Sequence, residues 1–323
     1  MRFPPIRYAA IHSQIEGFQD LAMGHMQQLR RITIWGVGLI GGSLGLALKK
    51  NGFQGQRIGL GRNIGRLEKA LQHDAVDVVT TAVEEGLHGS DLVVLCTPVE
   101  LVPVLVQHIV EVVDSQQSVV LTDVGSTKSV LVRTIEAQLR KHGSDTLSFV
   151  GAHPMAGSHE TGVDAARATL FENATCILTP TESTDQDSLQ RVKNLWESVG
   201  AVPHLLSPET HDLLIGAASH LPHLVASLLA NTVASVETEQ HKALDFTATG
   251  FRDSTRIAAG APDLWTGIFT QNRDVLLSLI DNIVDNLDEF KTLLQTDNLA
   301  EMERVLLEAQ VIVEKRRKVL GGS

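Results

Sequence analysis

The stretch RITIWGVGLIGGS, which runs from Arg31 to Ser43, decides the fold of this chain of 323 residues. A β-rich run, Ile32–Trp35, leads into glycines, and Leu39–Asn51 then has the pattern of a helix closed by Gly52. In a GxGxxG turn the first glycine permits the tight turn and the second lets the backbone approach a pyrophosphate. The third lets helix and strand pack closely. This strand–turn–helix context predicts dinucleotide binding, and the alternative is a glycine-rich turn that serves packing alone.

The start of this helix is expected to bind the cofactor phosphates. Its first N–H groups have no partner within the helix and carry a partial positive charge, which suits an anionic ligand. The expected contacts are the residues of the turn and of the first helical turn, namely Gly36, Gly38, Leu39, Ile40, Gly41 and Gly42.

Residues 31–206 show strand patterns that alternate with helix patterns, which is typical of βαβ units. Leu92–Cys96 is apolar throughout, as expected for a strand buried on both faces of a parallel sheet. The other strand patterns are Arg57–Leu60, Val76–Thr80, Val119–Thr122, Leu147–Ala152, Thr175–Thr179 and Val202–Leu206. The helix patterns are Ile64–Gln72, Leu101–Val113, Ser129–His142 and Ser188–Val199. We predict an α/β fold in which these residues form an N-terminal dinucleotide-binding domain, a Rossmann-type doubly wound sheet.

Residues 207–323 show no strand pattern and predict an all-helical C-terminal domain that binds substrate and forms a dimer. Ser207 and Pro208 mark a helix start, with serine as N-cap and proline at the first helical position. Helices are expected at roughly 208–239, 263–294 and 298–319. The segment Leu264–Leu294 is apolar on too many faces for a surface helix, so we expect a homodimer formed through this domain.

The composition argues against several classes of protein. The chain has 27 Lys+Arg against 38 Asp+Glu, a net charge of −11, and no basic run, so nucleic acid is not an expected partner. It has no uninterrupted apolar stretch of about eighteen residues, so no membrane span is expected. Cys96 and Cys176 are too few for a disulfide framework and indicate a reducing, cytoplasmic compartment. Residues 1–30 lack the apolar core of a secretion signal and are expected to be a poorly ordered extension.

The end of the second strand bears on the choice of cofactor. NAD enzymes place an acid there for the ribose hydroxyls. This chain has Gly61 at the expected place, followed by Arg62 and Asn63. A small residue followed by arginine leaves room for a 2′-phosphate and gives it a cation, so NADP is favoured over NAD. The alternative is that Arg62 is a solvated surface residue.

Polar motifs follow three strands at the carboxyl edge of the sheet, where ligands bind in such folds. Thr97 and Pro98 follow the fourth strand and are expected beside the cofactor. His153 follows the sixth strand, and its ordinary pKa near 6.5 suits a general base. Ser126, in the turn after the fifth strand, is expected either to bind the same substrate group or to cap the helix that begins near Ser129.

Three histidines lie on one predicted helix of the C-terminal domain. At about 100° per residue, His211 lies on the opposite face from His220 and about 120° from His223, so the three cannot share one face of a straight helix. No metal is expected, because this spacing does not match a metal-binding helix. Pro222 should bend or loosen the helix. We expect at least one histidine to contact substrate and one to be buried and structural.

Arg252 and Arg256 are four residues apart and would face the same way on a helix. Two guanidinium groups on one face are suited to binding a carboxylate in a bidentate manner. The alternative is a surface ion pair that involves Asp253.

Taken in order, the motifs GxGxxGGS, DVGSxK, HPMAGS, SHLPH and GFRDxxRIA resemble those of the prephenate/arogenate dehydrogenase family of tyrosine biosynthesis. The resemblance runs from about residue 30 to near the end of the chain. It implies that His153 is the catalytic base on the ring hydroxyl, assisted by Ser126, and that Arg256 binds the ring carboxylate. The resemblance places the remaining candidates near the substrate side chain or supporting the site: Arg252, His223, His211, His220, Ser158 and His159. Many members carry glutamate where this chain has His159, which leaves the preference between prephenate and arogenate open.

The implied reaction is an oxidative decarboxylation. His153 would take the proton of the C4 hydroxyl while C4 gives hydride to NAD(P)+, and loss of the ring carboxylate as CO2 would then make the ring aromatic. Prephenate would give 4-hydroxyphenylpyruvate, and arogenate would give tyrosine. One alternative is another two-domain hydroxyacid dehydrogenase, which would need a lysine such as Lys242 as acid and base. The other is a non-catalytic NADP-binding sensor, since a fold does not imply a function.

Overall fold

The computed structural model describes residues 29–143, 146–157 and 160–320. Residues 1–28 of the predicted extension and the candidate residues Ser158 and His159 lie outside this part of the chain. The last two residues of the predicted extension are described, and Leu29 is buried in the apolar core, so the extension was predicted to run too far. The chain divides into two compact units, one that ends at Asn272 and one that begins at Arg273. The sheet and the candidate site belong to the first unit.

A sheet of eight strands forms the centre of the first unit, with the strands in the order β3-β2-β1-β4-β5-β6-β7-β8. The strands are β1 Arg31–Trp35, β2 Gln56–Leu60, β3 Val78–Thr80, β4 Leu92–Leu95, β5 Val119–Asp123, β6 Leu147–Pro154, β7 Thr175–Thr179 and β8 Val202–Leu205. All neighbouring pairs are parallel except β6 and β7. The strand order reverses between β1 and β4, which is where this fold class binds ligands. The predicted doubly wound sheet is confirmed.

Helices cover both faces of the sheet and continue beyond it. They are α1 Leu39–Lys50, α2 Ile64–Gln72, α3 Val83–Leu87, α4 Val102–Val112, α5 Ser129–His142, α6 Gln186–Ser198, α7 Pro208–Ile215, α8 Leu221–Ala234, α9 Thr249–Thr255 and α10 Pro262–Gln271. Strand β4 shows why two layers of helix are needed. Leu92 and Val94 point into one apolar core, and Val93 and Leu95 point into the other. The uninterrupted apolar run predicted such a strand, buried on both faces.

The long helix predicted from Pro208 is divided by a π-helical segment, Gly216–His220, that separates α7 from α8. Pro222 lies in the first turn of α8, so the predicted distortion is confirmed. A proline has no N–H to donate, and a π turn is one way in which a helix adjusts around such a position. The assumption of a straight helix, on which the relative angles of the histidines rested, is therefore wrong.

Within the described residues, one helical stretch, Pro208–Ala234, is long and apolar enough to cross a membrane by length and composition alone. Only 28% of its most apolar window is buried. The stretch also carries Asp212 and His220, which are buried among protein groups. A core helix passes the same test, so length and composition do not assign this helix to a membrane.

The second unit consists of two long helices, α11 Arg273–Gln295 and α12 Leu299–Leu320, which pack on each other. The single helix predicted over 263–294 is wrong, because the chain interrupts it at Asn272, between α10 and α11. Large apolar side chains are exposed along both helices of this unit, among them Leu287, Leu299, Leu306 and Ile312. This surface has the apolar character that the sequence predicted for a dimer contact.

Candidate active site

The turn between β1 and α1 has the geometry of a phosphate-binding turn. Gly36 has φ +100°, and a Cβ there would lie 2.7 Å from the Cys96 carbonyl oxygen. At Gly41 a Cβ would collide with the Gly36 carbonyl oxygen and lie 2.9 Å from Ile34 Cγ2. Gly38 differs, because none of the described atoms lies within 4 Å of its Cβ position and no side chain caps α1. The open backbone at Gly38 suits the close approach of a phosphate.

Gly42 was expected to bind the cofactor, but the structure gives it another role. Its N–H donates to the Gly38 carbonyl oxygen at 2.8 Å, so it is not available to a phosphate. A Cβ on Gly42 would lie 3.0 Å from both Val163 and Ala166. Gly42 therefore allows α1 to pack against the segment around Val163.

Arg62 and Asn63 follow β2, at the same edge of the sheet as the glycine turn. Arg62 is exposed and has no ion pair within the described residues. The Asn63 side chain accepts a hydrogen bond from the Arg66 N–H at 3.0 Å and caps α2. The side-chain oxygen of Asn63 is therefore occupied. Arg62 and Arg66 are the cations at this end of α2 that a phosphate could approach.

Two of the buried hydroxyls that have no hydrogen-bond partner among the described residues lie in the loops that follow β4 and β5. They belong to Thr97, after β4, and Thr127, after β5. Buried polar groups are nearly always paired, so such orphans fit a polar ligand. Thr97 also lies against the Cβ position of Gly36, at 3.2 Å, which places it next to the phosphate-binding turn. Pro98, which follows it, is exposed.

A fully buried ion pair fixes the turn after β5. Lys128 Nζ donates to Asp123 Oδ2 at 2.6 Å, and both side chains are inaccessible to solvent. Asp123 also accepts hydrogen bonds from the N–H groups of Gly125 and Ala152, so both of its oxygens are paired. A buried ion pair is tolerated only when its hydrogen bonds are satisfied in this way. The pair joins the turn that carries Ser126 to the strand that carries His153.

Ser126 is half-buried in that turn and does not cap α5. The N-cap residue is Lys128, and no local side chain caps the helix. The alternative in which Ser126 serves only as a cap is therefore wrong. Its hydroxyl remains a candidate for contact with substrate.

His153 lies at the end of β6 and is the first of three buried side chains joined by hydrogen bonds. His153 Nδ1 is 2.8 Å from His211 Nε2, and His211 Nδ1 is 2.8 Å from Asp212 Oδ1. Asp212 in turn accepts the N–H groups of Lys128 and Ser129, each at 2.8 Å. The other ring nitrogen of His153, Nε2, has no hydrogen bond within the described residues. Both ring nitrogens of His211 are already hydrogen-bonded, so of the two roles expected for this residue the structure favours support of the site over direct contact with substrate.

The pKa values of this group keep both imidazoles neutral. Burial lowers the pKa of His153 well below its ordinary value, and the neighbouring His211, Lys128 and His220 lower it further. Burial also lowers the pKa of His211, although Asp212 opposes the change. Burial would raise the pKa of Asp212, but hydrogen bonds from His211, Ser129 and Lys128 outweigh it and lower that pKa. At neutral pH the set therefore consists of one carboxylate and two neutral rings.

The other two histidines lie beside Trp265. The His223 ring stacks on Trp265 with centroids 3.5 Å apart, and His220 meets the same indole edge-on. Asn272 Nδ2 lies 3.1 Å from His220 Nδ1, while His220 Nε2 is buried with no partner among the described residues. Burial lowers the pKa of His220 to about 4. A neutral ring with one free nitrogen is able to receive a polar substrate group.

Arg252 and Arg256 do not form the single helical face that the sequence predicted. Helix α9 ends at Thr255, and Arg256 begins a 3₁₀ turn, so the four-residue spacing crosses a change of helix type. Arg252 pairs with the adjacent Asp253 at 3.0 Å, and both side chains are largely exposed. The surface ion pair is therefore the arrangement observed for Arg252. Arg256 is exposed and has no ion pair in the described part of the chain.

Sequence patterns alone missed several groups that build this site. Asp212 directly follows His211, and Asp123 and Lys128 belong to the DVGSxK motif, so the sequence contained a signal for these three residues. Asn272 and Trp265 carried none. Lys242, which a hydroxyacid dehydrogenase would need, lies exposed in a turn. Within the described residues, no three His, Cys, Asp or Glu side chains are grouped so as to hold a metal ion.

Comparison with known proteins gives consistent matches over both halves of the chain. The family model "Prephenate dehydrogenase, nucleotide-binding domain" matches residues 44–205, and "Prephenate dehydrogenase, dimerization domain" matches residues 207–308. The prephenate dehydrogenase of Bacillus subtilis is 35% identical over 280 residues, which cover 86% of this chain and 74% of that protein.

Two solved structures extend the comparison to the fold. Prephenate dehydrogenase from A. aeolicus, in complex with hydroxyphenyl propionate and NAD+, has a TM-score of 0.82 and 34% identity. That match covers 90% of this chain and 99% of the other. Arogenate dehydrogenase from Synechocystis has a TM-score of 0.76 and 30% identity, and the match covers 88% of this chain and 99% of the other.

Proposed function

The chain belongs to the prephenate dehydrogenase family, and from that premise we propose that it converts prephenate to 4-hydroxyphenylpyruvate with NAD(P)+, using His153 as the catalytic base. It is an oxidoreductase that requires a nicotinamide cofactor. The observation that carries the proposal is the placement of His153. The ring is buried at the carboxyl edge of the sheet, is held through Nδ1 and has Nε2 free to accept a proton.

His153 and Ser126 would both contact the C4 hydroxyl of the substrate. His153 Nε2 removes the proton of the C4 hydroxyl, and the Ser126 hydroxyl binds the same oxygen. A bound nicotinamide would supply the hydride acceptor for C4. The electrons of the bond to the departing CO2 then enter the ring and give a phenolate, which takes the proton back from His153. No net proton is consumed, so His153 returns to its neutral form.

Burial makes His153 a base that stays neutral at physiological pH. Its lowered pKa means that the lone pair on Nε2 is available at pH 7 rather than blocked by a proton. Lys128 contributes to this effect through its nearby positive charge. The same lowering would favour return of the proton to the more basic phenolate after decarboxylation.

We propose that Gly36, Gly38, Gly41 and the start of α1 bind the pyrophosphate, and that NADP+ is preferred to NAD+. The preference for NADP+ is supported by Gly61, Arg62 and Arg66. Gly61 stands where an acid would bind the ribose hydroxyls, and a Cβ there would come no closer than 3.4 Å to Leu67. The site at Gly61 therefore has room for a side chain but carries no acid, and the exposed residues Arg62 and Arg66 follow it in the sequence.

For the substrate carboxylates we propose Arg256 together with the histidines beside Trp265. Arg256 is free of ion pairs among the described residues, so all its donors are available to a carboxylate. Arg252 would have to leave Asp253 to take part. We also propose a homodimer through the helical C-terminal domain and a cytoplasmic location, the latter because the two cysteines are unpaired.

The test measures reduction of NADP+ and of NAD+ with prephenate, and identifies the product. Arogenate is the second candidate substrate, because one of the similar solved structures is an arogenate dehydrogenase. We expect turnover with prephenate and a lower KM for NADP+ than for NAD+. Turnover with arogenate alone would replace the proposed substrate, and no turnover with either would refute the function.

A further inference from the structure

We infer that His211 and Asp212 are positioning residues that fix the tautomer of His153, with the proton on Nδ1 and the lone pair on Nε2. The inference rests on the proposed role of His153 as the base. His211 and Asp212 would then act in the reaction through His153 rather than by contact with the substrate.

Three hydrogen-bond donors surround the Asp212 carboxylate. Its Oδ1 accepts the Lys128 N–H and its Oδ2 accepts the Ser129 N–H, both at 2.8 Å. The carboxylate is 2% exposed, and the same hydrogen bonds that hold it lower its pKa. A carboxylate only accepts hydrogen bonds, so His211 Nδ1, 2.8 Å from Oδ1, must carry a proton and donate it.

The proton position of His211 in turn fixes that of His153. A neutral imidazole has one N–H, and in His211 that group is Nδ1–H, so Nε2 is an acceptor. His153 Nδ1, 2.8 Å away, must then donate, which leaves the lone pair of His153 on Nε2. The opposite arrangement would need a second proton on His211, and burial lowers the pKa of that ring.

Hydrogen bonds to both its side chain and its backbone hold Asp212 in place. Helix α5 has no cap from its own sequence, and Asp212, from α7, takes that role by binding the N–H groups at its start. Asn272 Nδ2 donates to the Asp212 carbonyl oxygen at 2.8 Å and holds the backbone on the other side. Asp212 therefore fixes α7 against the nucleotide-binding sheet and orients His211 at the same time.

The other charged groups near these rings do not change the assignment. Lys128 and His220 both act to keep a proton off His153, and Asp123 is neutralised by its ion pair with Lys128. None of them hydrogen-bonds to either ring of the His153–His211 pair among the described residues. The tautomer is therefore set by the chain of hydrogen bonds that ends at Asp212.

The decisive variant is Asp212→Asn. An asparagine side chain has one oxygen, so its NH2 group replaces either Oδ2, where it faces the Ser129 N–H, or Oδ1, where it faces both the Lys128 N–H and His211 Nδ1. If it faces His211, that ring moves its proton to Nε2, and His153 is left with its proton on the side that should accept one. We expect kcat to fall by about 10²- to 10⁴-fold with KM changed less than about threefold.

Substitution of His211 provides a graded test. In His211→Gln the amide oxygen can still accept from His153 Nδ1–H, whereas His211→Leu leaves that group unpaired. We expect a kcat loss of about tenfold or less for His211→Gln and of about 10²-fold or more for His211→Leu. The rescue by glutamine separates orientation of His153 from a loss of packing.

Asp185→Asn is the matched control, because Asp185 caps α6 by accepting the Ser188 N–H at 2.7 Å, far from any candidate site residue in the sequence. It should lower thermal stability and leave kcat unchanged. His153→Asn separates the two levels of the proposal. If His153→Asn is inactive while Asp212→Asn and His211→Leu turn over at the wild-type rate, only the positioning role is refuted. If His153→Asn itself is fully active, the proposed base is wrong.

Discussion

Two substitutions in the glycine turn separate its role in the fold from its role in cofactor binding. At Gly41 an added Cβ would collide with the Gly36 carbonyl oxygen and lie 2.9 Å from Ile34 Cγ2. Helix α1 would have to move away from β1, and overpacking of this kind costs about 3 kcal/mol. For a chain of this size we expect Gly41→Ala to lower the melting temperature by roughly 6 °C.

At Gly38 the same change meets open space. The residue has a negative φ, −96°, so it does not need the left-handed freedom of glycine, and none of the described atoms lies within 4 Å of the Cβ position. We expect Gly38→Ala to leave the free energy of unfolding within about 0.5 kcal/mol of wild type. A methyl group there would hold the pyrophosphate away from the backbone and remove at least one charge-assisted hydrogen bond, worth about 1.5–3 kcal/mol. The Kd for NADP+ should therefore rise by about 10- to 100-fold.

The assay pairs thermal unfolding without ligand with calorimetric titration of NADP+, on both variants and the wild type. The expected pattern is a stable Gly38→Ala that binds cofactor poorly and an unstable Gly41→Ala. A Gly38→Ala variant that binds NADP+ with the wild-type Kd would refute the placement of the pyrophosphate. Equal destabilisation by both substitutions would refute the separate roles of the two glycines.

Three further predictions concern the cofactor, acid stability and assembly. Arg62→Ala should remove one charge-assisted hydrogen bond to the 2′-phosphate, so we expect the KM for NADP+ to rise by about tenfold or more and the KM for NAD+ to stay unchanged. Lys141→Ala, which removes an exposed cation elsewhere, is the control. An equal change in KM for both cofactors would contradict the role of Arg62. The pKa of His220 is lowered to about 4 in the folded protein. Between about pH 6.5 and 4 this ring therefore takes up a proton in the unfolded chain but not in the folded one. The free energy of unfolding should fall by about 3 kcal/mol over this range for that reason. Urea titrations at fixed protein concentration check this, and His220→Asn should show a smaller loss; an unchanged pH dependence would oppose it. Ile312 is 68% exposed in the single chain, so we expect Ile312→Asp to convert the dimer into monomers in sedimentation experiments. Gln310→Glu, on the same helix, is the control and should leave the dimer intact. A dimer that survives Ile312→Asp would exclude the face of α12 that carries Ile312 from the dimer contact.

The sheet was predictable because its strands are short apolar runs bounded by glycine or polar residues. Leu92–Leu95 shows this most clearly, since an uninterrupted apolar run in a parallel sheet has few other solutions. The strand at Leu147 runs two residues further than predicted, to Pro154, so that His153 lies within it. The antiparallel pairing of β6 with β7 has no local sequence signal, because it depends on which strand edge is left free.

The helical half was less predictable for a physical reason. Helix periodicity assumes a fixed angle per residue, and the π segment Gly216–His220 breaks that assumption inside the region that carries the histidines. The role of His211 could not be assigned without knowing that Asp212 binds the N–H groups of α5, a contact across more than 80 positions of sequence. Arg252 shows the opposite case, since its partner is the next residue along the chain.

The most direct test of the catalytic assignment is the single-turnover rate of prephenate oxidation by wild type and by His153→Asn, each saturated with NADP+. Formation of reduced cofactor and of 4-hydroxyphenylpyruvate are both followed. We expect equal amounts of the two products from the wild type and a rate about 10²- to 10⁴-fold lower in the variant, with cofactor Kd unchanged. A variant that oxidises prephenate at the wild-type rate would show that another group removes the proton.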